Sequence, residues 1–393
     1  MTWEIRQGNA LELLRAMAGE SIQACVCSPP YWGLRSYGTE PQVWGGDPGH
    51  SHVWRPEGRH RGGPAREDHS GNTRGKTRGG QAGAAACRTR GASAGDTCAC
   101  GAWLGELGLE PTVDLYVAHV LELFREVRRV LKRNGTLWLN LGDSYIADRR
   151  GSAAPETSTL SHPTRHLEVS GAPITKRSDG LKPKDLVGIP WRVAFALQAD
   201  GWFVRSDIVW AKPNPMPESV RDRPTKAHEY VFLMSKSERY YYDYEATLEP
   251  VTGRSHHRCR GVNPKAAGKQ DGHGRRQAGF NERYFGVKQN ASFAAAVTEL
   301  VEERNRRSVW TIPTEPYPDA HFATFPQALV QPCILAGSRV GDTVLDPCAG
   351  SGTVGVVALR HGRHFLGLEL SPAYVAMARR RIGGPLFAKA VGA

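Results

Sequence analysis

The stretch from residue 343 to residue 369 constrains the fold of this chain most. An apolar run ending at Asp346 is followed by Pro347-Cys348-Ala349-Gly350-Ser351-Gly352, then by Thr353-Val354-Gly355-Val356-Val357-Ala358-Leu359-Arg360, then by His364-Phe365-Leu366-Gly367-Leu368-Glu369. The pattern reads as strand, glycine turn, helix and strand, with an acid closing each strand. Gly350 and Gly352 permit a tight turn and a close backbone approach. The helix that follows offers free N–H groups and the positive end of its dipole. A phosphate loop is excluded, because the turn lacks the Lys-Ser/Thr ending and Asp346 would repel phosphate.

An acid at this point suits a ligand with a positive centre, and the ammonium and sulfonium of S-adenosylmethionine fit. Glu369 can accept two ribose hydroxyls by the logic of dinucleotide folds. The bland alternative is an ordinary glycine turn with a chance acid beyond the next strand. The order strand, acid, Gly-x-Gly, helix, strand, acid weighs against it.

Two other regions share this α/β character. Ala10–Met17 reads as a helix and Ser21–Cys27 as a buried strand that stops at Pro29-Pro30. Further on, Leu115–Leu131 repeats apolar residues at helical spacing, and Asn134-Gly135 is expected to stop that helix before the strand TLWLNLGDS. A helix from about Asp185 to Ala199 and the strands WFVRSDIVW and EYVFLMS follow.

Ser28-Pro29-Pro30-Tyr31 begins where the first strand ends. Two consecutive prolines fix dihedrals and remove two N–H donors, leaving acceptors: the Ser28 hydroxyl and the Pro29 carbonyl. An exocyclic amino group on a base presents two N–H donors, and its lone pair is delocalised into the ring. Two rigid acceptors would hold those hydrogens and help localise the lone pair for in-line attack on a sulfonium methyl. Tyr31 could stack on a base that has left the duplex. Alone, the tetrapeptide could equally be a proline-rich turn closing a strand.

SPPY and DPCAGSG together resemble the amino-directed DNA methyltransferases, which modify cytosine at N4 or adenine at N6. NLGDSY (Asn140–Tyr145), KPKDLVGIPWRVAFAL, IVWAKP (Ile208–Pro213) and His321-Phe322-Ala323-Thr324-Phe325-Pro326 add to the likeness. It covers 1–37, 112–250 and 320–393. The catalytic motif precedes the cofactor motif, which is similar to the circularly permuted class called beta. This resemblance implies a Rossmann-like α/β fold, with a mostly parallel sheet, helices on both faces, and both sites at a switch point. It implies catalytic roles for Ser28, Pro29, Pro30 and Tyr31. It implies S-adenosylmethionine contacts from Asp346, Cys348, Gly350, Gly352, Thr353, Glu369, Asn9, Ala10, Thr324, Phe325 and Pro326. Asn9 stands where the family usually carries an aspartate. Serine at position 28 is similar to the cytosine-N4 members, whereas aspartate is commoner for adenine-N6. Cytosine-N4 is the expectation and adenine-N6 the alternative. A ring-carbon mechanism is disfavoured, because the nearest Pro-Cys pair, Pro332-Cys333, falls on a helix-like segment.

Two stretches lie outside the likeness, and both contain basic runs in a chain of formal charge +12. In 38–111, His50, His52, Cys98 and Cys100 form a candidate structural zinc set, with Cys87 between the two pairs. Free cysteines beside surface histidines are the alternative. Arg55 to Arg90 reads as a flexible basic loop. Residues 251–319 stand where related enzymes often carry a target-recognition region. There Arg254, Arg258, Arg260, Lys265, Lys269, Arg275 and Arg276 are candidates for contacting double-stranded DNA; a solvated basic loop is the alternative.

No apolar run reaches the ~20 residues of a membrane span. The start lacks the basic-then-apolar order of a signal peptide, so a cytoplasmic location is expected. A cognate restriction enzyme is a candidate partner, and monomer and homodimer both stay open. Three competing readings stand beside DNA methylation: methylation of an RNA base, methylation of a protein glutamine, and a DNA-binding module that no longer turns over.

Overall fold

A computed structural model describes residues 1–34, 36–47, 49–55, 95–146, 180–250, 303–315 and 326–384. Its strands are β1 (Trp3–Gln7), β2 (Ile22–Cys27), β3 (Gln42–Trp44), β4 (Trp103–Gly105), β5 (Leu131–Leu141), β6 (Phe203–Ala211), β7 (His228–Ser235), β8 (Glu249–Pro250), β9 (Glu303–Arg304), β10 (Val309–Thr311), β11 (Thr343–Asp346) and β12 (His364–Glu369). The helices are α1 (Ala10–Arg15), α2 (Val113–Val130), α3 (Ile189–Ala199), α4 (Gln327–Gly337), α5 (Thr353–Arg360) and α6 (Pro372–Gly383). None is long and apolar enough to cross a membrane.

Eight strands form one sheet in the order β1-β12-β11-β2-β5-β7-β6-β10. Only β7 runs against its neighbours; the other pairings are parallel. The expected Rossmann-like, mostly parallel α/β sheet is therefore present. β3 with β4 and β8 with β9 form two small antiparallel pairs apart from it.

Helices cover both faces. Cys25, Cys27, Leu137, Leu139, Phe232 and Met234 turn one way into a core with α1, α2 and α3. Val26, Trp138, Val231, Leu233, Val344 and Phe365 turn the other way against α4, α5 and α6. This is the period-2 alternation of strands buried on both sides. Every residue of β2 is buried, so each large side chain there contributes about 1.5–3 kcal/mol by leaving water.

α2 shows why the helices form where they do. Thr112 caps it, its hydroxyl accepting from the Leu115 amide at 3.2 Å, and Asp114 opens the first turn while Arg128 and Arg129 close the last. Val113, Tyr116, Val120, Leu123, Phe124, Val127 and Val130 share the buried face.

Two boundaries differ from expectation. Asn134-Gly135 does not stop α2, because Leu131 is already extended and pairs with Ile22. The next pair across the same strands is Thr136 with Ala24, so residues 132–135 bulge out of the ladder. A Cβ on Gly135 would lie 3.0 Å from the Gln23 carbonyl oxygen, which explains the glycine. α3 begins at Ile189 rather than near Asp185. Gly188 adopts φ +76°, Pro190 sits in the first turn, and the Asp143 carboxylate accepts from the Gly188 and Ile189 amides at 3.0 Å each. That cap comes from another part of the chain and is invisible locally.

Candidate active site

β11 and β2 are adjacent, Val344 beside Ala24 and Leu345 beside Cys25. From β11 the chain proceeds to β12 on one side, and from β2 the sheet continues to β5 on the other. The two neighbours thus flank a switch point, where loops diverge and leave a crevice. The Asp346 turn and the Ser28 turn lie side by side there, although they come from opposite ends of the sequence.

The glycine turn carries two buried acids. Asp346 is 1 % exposed, and its Oδ1 accepts from the Cys348 amide at 3.1 Å. Burial pushes its carboxyl up to about 7, with a further push from the charge of Glu369. Glu369 is raised as well, again chiefly by burial. Its oxygens accept from the amides of Gly350 and Ser371 at 2.8 Å each, so it braces the turn it faces.

Gly350 has φ +50°, and the nearest atom a Cβ would meet is the Cys348 carbonyl oxygen at 3.9 Å, which leaves room above the turn. Gly352, at φ +77°, is needed on the opposite side, where a Cβ would come within 3.0 Å of Ala378. Two carboxylates held in a low-dielectric crevice favour a ligand that brings positive charge and hydroxyl donors. S-adenosylmethionine has both.

Other expected contacts occupy varied positions. Asn9 Oδ1 accepts from the Leu11 and Glu12 amides and caps α1, while its Nδ2 donates to Gln42 at 3.0 Å. Its position is fixed by a capping role that asparagine fills as well as aspartate. Ala10 is the first residue of α1. Cys348 is half-buried beside Cys27, and burial holds the Cys27 thiol well above its ordinary value. The Thr353 hydroxyl is turned to Arg381, whose Nη1 donates to it at 2.9 Å and also to Ser351 Oγ at 2.9 Å. That leaves the backbone start of α5, not the hydroxyl, as the part of Thr353 facing the turn. Pro326 is the N-cap of α4, and Thr324 and Phe325 lie outside the described residues.

At the other turn, Ser28 Oγ donates to the Tyr31 hydroxyl at 3.2 Å. The Tyr31 oxygen lies 2.9 Å from Asn140 Oδ1 and 2.8 Å from Glu229 Oε2, two acceptors for its single hydrogen. Asn140 Nδ2 donates to the same Glu229 oxygen at 3.2 Å and to the Tyr230 carbonyl at 3.1 Å. Glu229 Oε1 pairs with the Lys212 ammonium, which also stands over the Trp210 ring at 4.2 Å. Burial raises the Tyr31 phenol far above its ordinary value, and the Glu229 charge adds to it, so the phenol stays neutral. Tyr116 donates to the Pro30 carbonyl at 2.9 Å and pins the turn from below. A Cβ on Gly142 would fall 2.5 Å from Tyr31 Cε2, so only glycine fits beside that ring.

Ser28 thus spends its hydrogen inward, and its lone pairs stay available as acceptors. The Tyr31 ring is partly exposed while its hydroxyl is anchored, so stacking on a base could use only the ring as it stands.

The chain's spacing did not single out Glu229, Lys212, Tyr116 or Gly142. Asn140 and Lys212 fall inside NLGDSY and IVWAKP, and Glu229 opens EYVFLMS. Their meeting depends on the antiparallel register of β7, which sets Trp210 against Glu229 and Leu141 against Tyr230. Lys226 also lies outside those motifs: its ammonium is buried with no hydrogen-bond partner among the described residues, and burial lowers its pKa. Cys333 lies inside α4, 2 % exposed, with its thiol strongly raised by burial, which removes it as a nucleophile. His50, His52, Cys98 and Cys100 come together, all four ligand atoms within 4.8 Å of one another. The seven basic residues from Arg254 to Arg276 lie outside the described residues.

Comparison with known proteins identifies the family. The N6/N4 methyltransferase family model, described as DNA methylase, matches residues 22–380. The chain is 37% identical over 378 residues to the Type II methyltransferase M.Cfr9I of Citrobacter freundii, covering 96% of this chain and 87% of that protein. It is also 37% identical over 375 residues to the Type II methyltransferase M.SmaI of Serratia marcescens, covering 95% and 89%. Among solved structures, the PvuII DNA methyltransferase (cytosine-N4-specific) superposes with a TM-score of 0.51 at 16% identity, covering 100% of this chain and 90% of that one. The last likeness is one of fold.

Proposed function

The chain belongs to the N6/N4 family of DNA methylases and is a Type II DNA methyltransferase; within that family, we propose that it methylates the exocyclic N4 amino group of cytosine in double-stranded DNA, with S-adenosylmethionine as methyl donor. The observation that carries this reading is the Ser28 turn set directly beside the Asp346 turn on neighbouring strands. Serine at position 28 supports cytosine, because that residue is similar to the cytosine-N4 members of the family.

When bound, S-adenosylmethionine supplies an electrophilic methyl group on a sulfonium. Asp346 would meet its positive charge and Glu369 would accept hydrogen bonds from its ribose hydroxyls. The target base must leave the duplex to reach the crevice. Ser28 Oγ and the Pro29 carbonyl would accept hydrogen bonds from the two amino hydrogens and orient the nitrogen lone pair toward the methyl; as the N–C bond forms the S–C bond breaks, the neutral thioether leaves, and one amino proton passes to solvent. Ser28 donates into a chain that ends on the Glu229 carboxylate, which polarises its oxygen as an acceptor. Lys212 holds Glu229 in place, and Tyr116 holds the Pro30 carbonyl. No residue forms a covalent bond to the base, so positioning and electrostatics supply the rate.

In this reading target recognition would come from the part of 251–319 before β10, which is itself a strand of the central sheet, with Arg254, Arg258, Arg260, Lys265, Lys269, Arg275 and Arg276 as candidate contacts to phosphates and guanine edges. Adenine-N6 is the second reading, because an adenine amino group offers Ser28 and Pro29 the same two donors. Methylation of genomic DNA with labelled donor, digestion to nucleosides and mass spectrometry separates them. N4-methylcytosine is the expected product. N6-methyladenine alone would overturn the choice of base, and DNA binding without any transfer would overturn the activity.

A further inference from the structure

We propose that His50, His52, Cys98 and Cys100 bind one structural zinc ion that staples the two arms of the 38–111 insert onto the body of the enzyme beside the target-base turn. Nothing in the transfer chemistry uses these residues.

The backbone brings the four together. Arg55 and Thr97 exchange hydrogen bonds at 2.8 and 2.9 Å, which sets the histidine arm against the cysteine arm. On the cysteine arm, the Cys98 amide donates to the Ala102 carbonyl at 2.8 Å and the Gly101 amide to the Cys98 carbonyl at 3.0 Å. Gly101 adopts φ +88° to close that turn. On the histidine arm, the His50 amide donates to the Asp47 carbonyl at 3.0 Å.

The spacing fits a tetrahedral ion. Zinc bonds of ~2.0–2.3 Å to nitrogen and sulfur set ligand atoms ~3.3–3.8 Å apart. Cys100 Sγ and His52 Nδ1 are already 3.4 Å apart, and no pair exceeds 4.8 Å. Two thiols and two imidazoles are soft and borderline donors, which select zinc over magnesium or calcium.

The site is continuous with the catalytic side of the fold. Two residues past Cys100, Ala102 packs so closely on Gly46 that a Cβ there would approach within 2.7 Å. Trp44 and Trp103 both stack on His119 of α2, each centroid 5.6 Å away. His119 Nδ1 meets Glu110 Oε1 at 3.0 Å, and the Glu110 carbonyl accepts from Trp32 Nε1 at 2.9 Å. Trp32 directly follows Tyr31. Arg55 and the cysteine arm are the described ends on either side of residues 56–94 in the sequence, so the ion would tie those two ends together.

The test uses the full chain. Elemental analysis should find about one zinc per chain. After stripping, cobalt(II) should give the intense thiolate charge-transfer band of a tetrahedral two-sulfur site. Cys98→Ser with Cys100→Ser should abolish the band and lose the equivalent, while Cys87→Ser keeps both. Should the double variant fail to fold, the wild-type cobalt spectrum decides by itself. Less than about half an equivalent in reconstituted wild-type protein, or a cobalt spectrum without thiolate bands, would overturn the proposal. A full equivalent retained by a folded double variant would overturn it too. Chelation should also speed proteolysis within 36–55 and 95–112, and an unchanged cleavage rate would refute the stapling role.

Discussion

Replacing Asp346 by asparagine separates two consequences of burying an acid. The free carboxyl titrates near 7 instead of its ordinary 3.8, chiefly through desolvation. Between those values the native state holds a proton that the unfolded chain releases. Native stability from this group is therefore fully present below about 3.8 and falls as pH rises to 7. The gap of about three pKa units is worth roughly 4 kcal/mol.

A cationic ligand needs the charged form, so its binding expels that proton. Apparent affinity should then weaken roughly tenfold from pH 8 to pH 6, and Glu369 pushes the same way. Asparagine keeps the acceptor for the Cys348 amide but carries no charge. We expect the variant to melt at a higher temperature than the wild-type apo protein at pH 8, to bind S-adenosylmethionine more weakly at pH 8, and to lose the share of this pH dependence that Asp346 contributes. Calorimetric titrations at pH 6, 7 and 8, in two buffers of different ionisation enthalpy, count the expelled proton. Equal wild-type affinity at pH 6 and 8, or the same slope in the asparagine variant, would refute the assignment.

Three further substitutions probe the other turn. Ser28→Ala should lower kcat roughly a hundredfold while cofactor affinity stays within about twofold, by single-turnover kinetics and calorimetry; unchanged turnover would remove the acceptor role. Glu229→Gln should reduce kcat by about tenfold without changing cofactor affinity, since it weakens the polarisation of Ser28 through Tyr31; the readout is the ratio of the two constants. Gly142→Ala drives a methyl into the Tyr31 ring and should cost about 1–3 kcal/mol in chemical denaturation, with transfer impaired and cofactor binding retained.

Much of the sheet was legible because its strands are buried on both faces and read as apolar runs: β2, β7, β11 and β12 stand where the residues predict. β1 was not, because Glu4 and Arg6 alternate with a single buried residue, Ile5, at the sheet edge. Asn134-Gly135 carries a strong local turn signal, yet parallel pairing with β2 outweighed it and made a bulge. The start of α3 depended on Asp143, some forty-five residues away, which no local pattern reports. Within the site, motif residues were legible as motifs, while their partners were not. Glu229 reaches Tyr31 only through strand register, and the Thr353 hydroxyl turns to Arg381 only through the packing of α5 on α6. The histidine and cysteine pairs were visible as pairs, but the Arg55–Thr97 backbone pairing that joins them was not.

The adjacency of β2 and β11 has a consequence for how the protein is made. During synthesis β2, β5, β6 and β7 emerge long before β11, so the β2 edge waits unpaired through most of translation. That edge, IQACVC, is wholly buried once folded and adhesive until then. Contacts of such sequence separation form slowly. The crevice between the two turns should be among the last parts to close, so a nascent chain can neither hold the methyl donor nor modify DNA until nearly all of it has been synthesised.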